Sequence, residues 1–296
     1  MKLRYLAAKS VLCTAAFLLN IGVASAAQPV TLTLWENGAP TLNGLDPAKE
    51  NSSNPDWIHG VTNPTVTIYP ADNPNGTTLL MCPGGAYFAL AAMHEGADLA
   101  APLNEKGVNL AVLKYRMPNG HSEVPADDVW RAVQLLNDNA AKFGIDVKRI
   151  GIGGASAGGH LASTVATHPK EGMNPFAFQV LVYPVISMKE GLTHGGSREN
   201  LLGKNPDAAA VEYFSNELKV TPESPQAFIV VSADDDVVPV ENSLDYFEAL
   251  KTNKVPVYIH VYPSGGHGWL CRDHFKYNSQ VVDEMVNWIS TLDFNK

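Results

Sequence analysis

Four short stretches of this 296-residue chain combine residue types that can do chemistry. Gly154-Ala155-Ser156-Ala157-Gly158 follows a short apolar run and opens a helical pattern, which places Ser156 on a sharp strand-to-helix turn. Such a turn accepts only small flanking residues, exposes the serine oxygen and aims the next backbone N–H at a reacting carbonyl. The blander alternative is a glycine-rich turn with an incidental serine. A serine hydroxyl is too weak an acid to attack unaided. A neutral histidine must take its proton, and a carboxylate must orient that histidine. Both types occur downstream, each after its own apolar run: Asp234-Asp235-Asp236 after 227–232, and His267 in Gly265-Gly266-His267-Gly268-Trp269 after 255–262. Residue type alone leaves open which aspartate acts, and the triplet also reads as a solvated loop. Pro83-Gly84-Gly85-Ala86-Tyr87 follows the run ending at Cys82, and its small residues free N–H groups to face a cleft. Gly85 and Ala86, with Ala157, are the expected donors to the negative oxygen of a tetrahedral intermediate.

The elements that must carry these residues form an α/β pattern. Alternating or apolar runs at 30–35, 65–69, 77–82, 108–115, 149–153, 179–183, 227–232 and 255–262 predict strands. Helices are expected at 95–106, closed by Gly107, at 125–143, closed by Gly144, after Ser156, at 241–252 and at 279–292. Alternating strands and helices imply a mostly parallel sheet covered on both faces. Residues 36–63 read as a long irregular arm. Residues 185–225 are too long for a plain loop between core strands and read as a small cap inserted over the C-terminal edge of the sheet.

Composition narrows the function classes. Charged residues are 17% and hydrophobic residues 45%, which excludes disorder. The formal charge of −9, without a basic run, argues against nucleic acid. Residues 1–26 read as a secretory signal: basic Lys2, Arg4 and Lys9, an apolar stretch, then Ala24-Ser25-Ala26. The apolar stretch is shorter than the ~20 residues of a membrane span. The expectation is an exported chain, secreted or periplasmic, with one catalytic domain over 27–296 and no membrane contact after signal cleavage. Cys82 and Cys271 remain after export, either bridged or serving as small apolar residues. No H-E-x-x-H or paired-cysteine spacing suggests a metal, and no cofactor is expected.

The order Ser156, aspartate, His267, each after a separate strand, resembles the α/β-hydrolase fold. The likeness is greatest to secreted bacterial carbohydrate esterases of the acetylxylan/feruloyl type. It is carried by 82–87, His94-Glu95-Gly96, 113–116, Asp128-Val129-Trp130-Arg131, 153–159, 232–239 and Gly266-His267-Gly268. Pro83 stands where the related H-G-G-G motif has histidine, and Ala86 where the family usually has a third glycine. Asp235 matches the family pattern D-x-x-V-P through Val238-Pro239, so the resemblance selects it from the triplet. It implies a serine esterase that removes a short acyl group, most simply acetyl, from a plant-type polysaccharide or oligosaccharide. A lipase-like carboxylesterase or small peptidase of the same fold, or a catalytically silent carbohydrate-binding homologue, are the rivals. Asp128 and Arg131 are expected to pin their helix to a neighbouring loop, and His160 to pack. His94 is expected to line the acyl pocket or, with Glu95, to cap a helix. Tyr87 and Trp269 are expected to form a sugar-stacking wall or simply to pack.

Overall fold

The structure, a computed structural model, describes residues 28–173 and 176–294; the expected signal segment lies outside them. Among the described residues, ten strands run in chain order as β1 Val30–Thr33, β2 Ile58–His59, β3 Thr65–Tyr69, β4 Gly76–Cys82, β5 Ala89–Leu90, β6 Asn109–Lys114, β7 Ile145–Ala155, β8 Phe178–Val182, β9 Gln226–Ser232 and β10 Val257–Tyr262. The helices are α1 Ala100–Glu105, α2 Val124–Asp138, α3 Ala140–Phe143, α4 Ser156–Thr167, α5 Gly195–Leu202, α6 Ala208–Tyr213, α7 Glu241–Thr252 and α8 Asn278–Ser290. Eight strands form one sheet in the order β1-β3-β6-β4-β7-β8-β9-β10. The six from β6 to β10 are parallel, and β1 and β3 are antiparallel at one edge. β2 and β5 make a separate antiparallel ribbon.

Period-two alternation supplies both faces of this sheet. In β4, Leu80 and Cys82 join the core under α2 and α4, with Val129, Val133, Leu161 and Val165. Leu79 and Met81 point the other way, into the core with Leu103, Val281, Met285 and Ile289 of α1 and α8. A strand buried on both faces therefore reads as one unbroken apolar run. The register Cys82↔Gly154 aligns the ends of β4 and β7. The turns after β4, β7, β9 and β10 thus open on the same C-terminal edge, where open α/β sheets place their ligands.

Three expected elements differ in detail. The helix expected over 125–143 is two, because Asn139 leaves helical geometry and its side-chain amide donates to the Leu135 carbonyl. The strand expected at 149–153 extends back to Ile145 through a register shift against Gly76–Thr78. The helix expected from 95 begins only as a 3-10 turn at Ala97, because Gly96, at φ −151° and ψ −94°, lies outside helical geometry. Its first cap is Gly96 without a side-chain bond, so neither His94 nor Glu95 caps it. Asp128 takes the Arg116 guanidinium and the Trp35 indole N–H, and Arg131 donates to the Leu34 carbonyl. Together they tie α2 to the segment just after β1 and to the loop after β6. Both cysteines are free, Cys82 inside the core and Cys271 half-buried. Among the described residues, no helix is long and apolar enough to cross a membrane.

Candidate active site

β7 ends at Ala155 and α4 begins at Ser156 with no residue between, so the serine absorbs the whole change of direction. Its φ is +52°, a left-handed conformation that costs a non-glycine residue ~1–3 kcal/mol. Gly158 permits the turn: a Cβ there would run into the Cys82 and Pro83 carbonyls at the end of β4. The absence of that side chain lets the first turn of α4 lie directly against the turn after β4. Ala157 sits in that first turn, where backbone N–H groups have no intrahelical acceptor.

The turn after β4 is fixed from its outer side. The Gly84 carbonyl accepts from Ala91 N–H at 2.9 Å, and the Gly85 carbonyl from Phe88 and Ala89 N–H, both at 2.9 Å. In a trans peptide the N–H points opposite to the C=O. The N–H groups of Gly85 and Ala86 are thereby turned away from 88–91, toward the cavity that these two residues line with Ser156. Gly85 has φ +130° and its missing Cβ would collide with the Ala89 carbonyl. Ala86 and Tyr87 are both left-handed, at +57° and +58°. Ala86 is thus held by its surroundings where glycine would sit unstrained: its carbonyl accepts from Asn200 Nδ2 at 2.9 Å.

His267 Nε2 accepts from the Ser156 hydroxyl at 2.8 Å, and His267 Nδ1 donates to Asp235 Oδ2 at 2.7 Å. The other oxygen, Asp235 Oδ1, accepts from Val237 and Val238 N–H at 3.0 and 2.9 Å. Asp235 is buried, whereas Asp234 and Asp236 are exposed. Asp234 has a different task, accepting from Gly266 N–H at 2.9 Å and so tying down the histidine loop. The geometry therefore gives Asp235 and Asp234 different roles and leaves Asp236 exposed.

A cavity of about 210 Å³ opens beside Ser156. His94 and Glu95 line it, together with Trp57, His194 and Val237, which sequence reasoning did not single out. Trp57 comes from the irregular arm, and His194 from the segment between β8 and β9, which thus forms part of the wall. His94 accepts from Arg272 at Nδ1, 2.9 Å away. Burial first, then the Arg272 charge, lowers its pKa to about 4, so it is neutral near pH 7. Glu95 is buried, and its burial raises its pKa against the opposing pull of the Tyr183 hydroxyl, His267 and Gly84 N–H. Glu95 Oε2 accepts from Gly84 N–H at 2.7 Å and Oε1 from the Tyr183 hydroxyl at 2.8 Å. Tyr183 in turn accepts from Leu270 N–H at 3.1 Å, and its ring packs 4.6 Å from that of His267.

The expected wall of Tyr87 and Trp269 does not form. Tyr87 is 2% exposed and Trp269 0%, and neither lines the cavity. The left-handed turn at Tyr87 points its ring inward, where its hydroxyl donates to His160 Nδ1 at 2.9 Å. Trp269 stacks on Phe275 at 4.0 Å and donates its indole N–H to the Gly266 carbonyl. Both rings support the turns after β4 and β10 from beneath. His160 is fully buried and packs as expected, its Nε2 donating to the Phe214 carbonyl at 2.8 Å.

Comparison with known proteins agrees with this architecture. Residues 80–271 match the family model described as alpha/beta hydrolase fold. The chain belongs to that family. It is 35% identical over 225 residues to an acetylxylan esterase of Xylanibacter ruminicola, covering 75% of this chain and 47% of that protein. It is 34% identical over 234 residues to an endo-1,4-beta-xylanase B of Butyrivibrio fibrisolvens, covering 74% of this chain and 36% of that protein. The match thus spans less than half the length of these two curated relatives. The crystal structure of an acetyl ester-xyloside bifunctional hydrolase from Caldicellulosiruptor lactoaceticus superposes with a TM-score of 0.75 at 33% identity, covering 90% of this chain and 97% of that one.

Proposed function

We propose that this protein is a serine carboxylic-ester hydrolase that removes acetyl groups from a xylan-type polysaccharide or oligosaccharide through an acyl-enzyme. The observation that carries the reading is the continuous hydrogen-bonded line from Ser156 through His267 to Asp235, beside the Gly85 and Ala86 N–H groups turned toward the cavity. In the first step Ser156 Oγ attacks the ester carbonyl while His267 Nε2 takes its proton. The oxyanion is received by Gly85, Ala86 and Ala157, whose donors need no rearrangement when charge develops. His267 then gives the proton to the departing sugar oxygen. In the second step it takes one from water, whose hydroxide adds to the acyl carbon, and returns it to Ser156 as acetate leaves. Asp235 stays charged and orients the imidazole throughout. The small volume beside Ser156 favours a short acyl group. The similarity to an acetylxylan esterase and to an acetyl ester-xyloside hydrolase supports acetyl on xylose as that ester.

The test is acetate release from acetylated xylan, compared with aryl acetate, longer acyl esters, feruloyl esters and aminoacyl amides, for wild type and Ser156→Ala. The expected result is acetate release that disappears in Ser156→Ala. Undiminished turnover by Ser156→Ala would overturn the mechanism, and a preference for long acyl chains or amides would overturn the substrate class. Export belongs to the same reading, on the basic, apolar and small-residue pattern of 1–26. Protein recovered outside the cytoplasm and beginning at Ala27 supports it; intact chain confined to the cytoplasm refutes it.

A further inference from the structure

The cavity beside Ser156, at about 210 Å³, lies below the ~300–1,000 Å³ of typical small-molecule sites. It takes an acyl group and the sugar oxygen that carries it. The rest of a glycan has to lie outside, across the rim. One side of that rim is aromatic. Trp57 lines the cavity and is still 40% exposed, and Phe88 is 58% exposed. His59 stands between them, with ring centroids 5.9 Å from Trp57 and 5.2 Å from Phe88, both edge-to-face. The three rings form a continuous ridge that starts in the cavity and runs outward.

The ridge is built onto the catalytic turn itself. β2 pairs with β5 through Ile58↔Leu90 and His59↔Ala89, so the arm bearing Trp57 and His59 is hydrogen-bonded to the segment after the oxyanion turn. Phe88 N–H is one of the two donors that hold the Gly85 carbonyl outward. Ile58, between Trp57 and His59, is buried and anchors the ribbon in the core. Large exposed apolar side chains beside a cleft mark ligand contact surfaces. Aromatic rings offer a rigid, amphipathic surface at small entropy cost. The apolar C–H face of a pyranose fits such a ring, while its hydroxyls remain in water.

We propose that Trp57, His59 and Phe88 form a glycan platform that takes the sugar residues adjoining the esterified one, and so sets a preference for oligomers over small esters. The proposal rests on the carbohydrate-esterase reading above and replaces the wall expected from Tyr87 and Trp269. Trp57 takes the sugar nearest the cavity, and Phe88 a residue further along the chain.

Two measurements separate the platform from that reading. The first is calorimetric binding of unesterified xylobiose and xylohexaose to wild type, Trp57→Ala, Trp57→Tyr and Phe88→Ala, with thermal unfolding confirming that each variant is folded. The second is KM for acetylated xylo-oligosaccharides of increasing length. Trp57→Ala is expected to weaken xylohexaose binding about tenfold, with recovery in Trp57→Tyr. Phe88→Ala is expected to weaken the hexamer selectively and to remove the decrease of KM with length. Phe88 is exposed enough for its loss to leave folding intact should Trp57→Ala fail to fold. Wild type that binds no oligosaccharide, or variants with unchanged affinity and length dependence, would overturn the platform. Wild type that binds through Trp57 but releases no acetate would keep the platform and sink the esterase reading. Acetate release with indifferent ridge variants would do the reverse.

Discussion

At Ser156 the fold holds a residue where its backbone is least comfortable. The left-handed φ follows from joining β7 to α4 without a linker, and it exposes Oγ to His267. Serine and alanine bear the same Cβ penalty there, and glycine bears almost none. Ser156→Gly should therefore be more stable than Ser156→Ala by about 1 kcal/mol in urea unfolding, although both lack the nucleophile. Equal stability would mean that the turn relaxes when the hydroxyl is lost. Asp235 gives a separate test at this scale. Asp235→Asn keeps an oxygen for the Val237 and Val238 N–H groups but turns an amide toward His267 Nδ1. The imidazole then favours the tautomer with Nε2 protonated, which cannot accept from Ser156. A fall in kcat of roughly 10⁴-fold is expected, with KM little changed. A fall below tenfold would leave Asp235 without its orienting role.

Two glutamates act between elements. Glu95 joins the turn after β4 to the end of β8, and through Tyr183 to the loop that carries His267. Removing its carboxylate leaves two buried donors unpaired, at ~1–3 kcal/mol each. Glu95→Ala should lower kcat by about ten- to a hundredfold, more than it changes KM, because the oxyanion turn and the base lose a common support. Lost stability with full kcat would make Glu95 a packing residue only. Glu50 fastens the arm. Its Oε2 accepts from Thr62 and Asn63 N–H, both at 2.9 Å, and its Oε1 from Lys114 Nζ at 2.6 Å. Burial alone would raise its pKa, but these donors outweigh burial and hold it at about 2 against an ordinary 4.5. A depressed carboxylate contributes fully above its unfolded value and loses that contribution as pH falls toward the folded one. The arm should therefore resist proteolysis at pH 5 in wild type and be cut at 36–63 in Glu50→Ala. Equal cutting of both would show that the ribbon alone retains the arm. Neither glutamate was legible as a support in the sequence, because each acts at long range: Glu95 on Gly84 and Tyr183, Glu50 on Lys114.

Across the whole molecule, the legible parts are those that local rules dictate. The unbroken apolar runs of β4 and β9 and the small residues around Ser156 follow from burial on two faces and from a linkerless turn. Side-chain direction after a left-handed residue follows from no such rule. Sequence adjacency placed Tyr87 and Trp269 beside the catalytic loops, and the backbone turned both beneath them. Trp57 reaches the cavity only because a distant ribbon pairs β2 with β5. His160 shows the same long-range assembly and carries a consequence for the entire fold. It lies between Tyr87 of the turn after β4 and Phe214 of the segment between β8 and β9, accepting from one and donating to the other. Burial lowers its pKa from 6.5 to about 4, opposed by the Phe214 carbonyl and aided by the His168 charge. Below 6.5 the unfolded chain gains a proton here that the native chain refuses until about pH 4. The stability from neutral His160 is thus complete above 6.5 and drains away as pH falls through that interval. His160→Gln cannot titrate, so other acid-sensitive groups cancel when it is compared with wild type. The wild-type advantage in urea unfolding should shrink by roughly 2 to 3 kcal/mol between pH 7 and pH 4.5. A constant difference over that range would mean that the segment bearing Phe214 opens to admit a charged His160 before the rest of the chain unfolds.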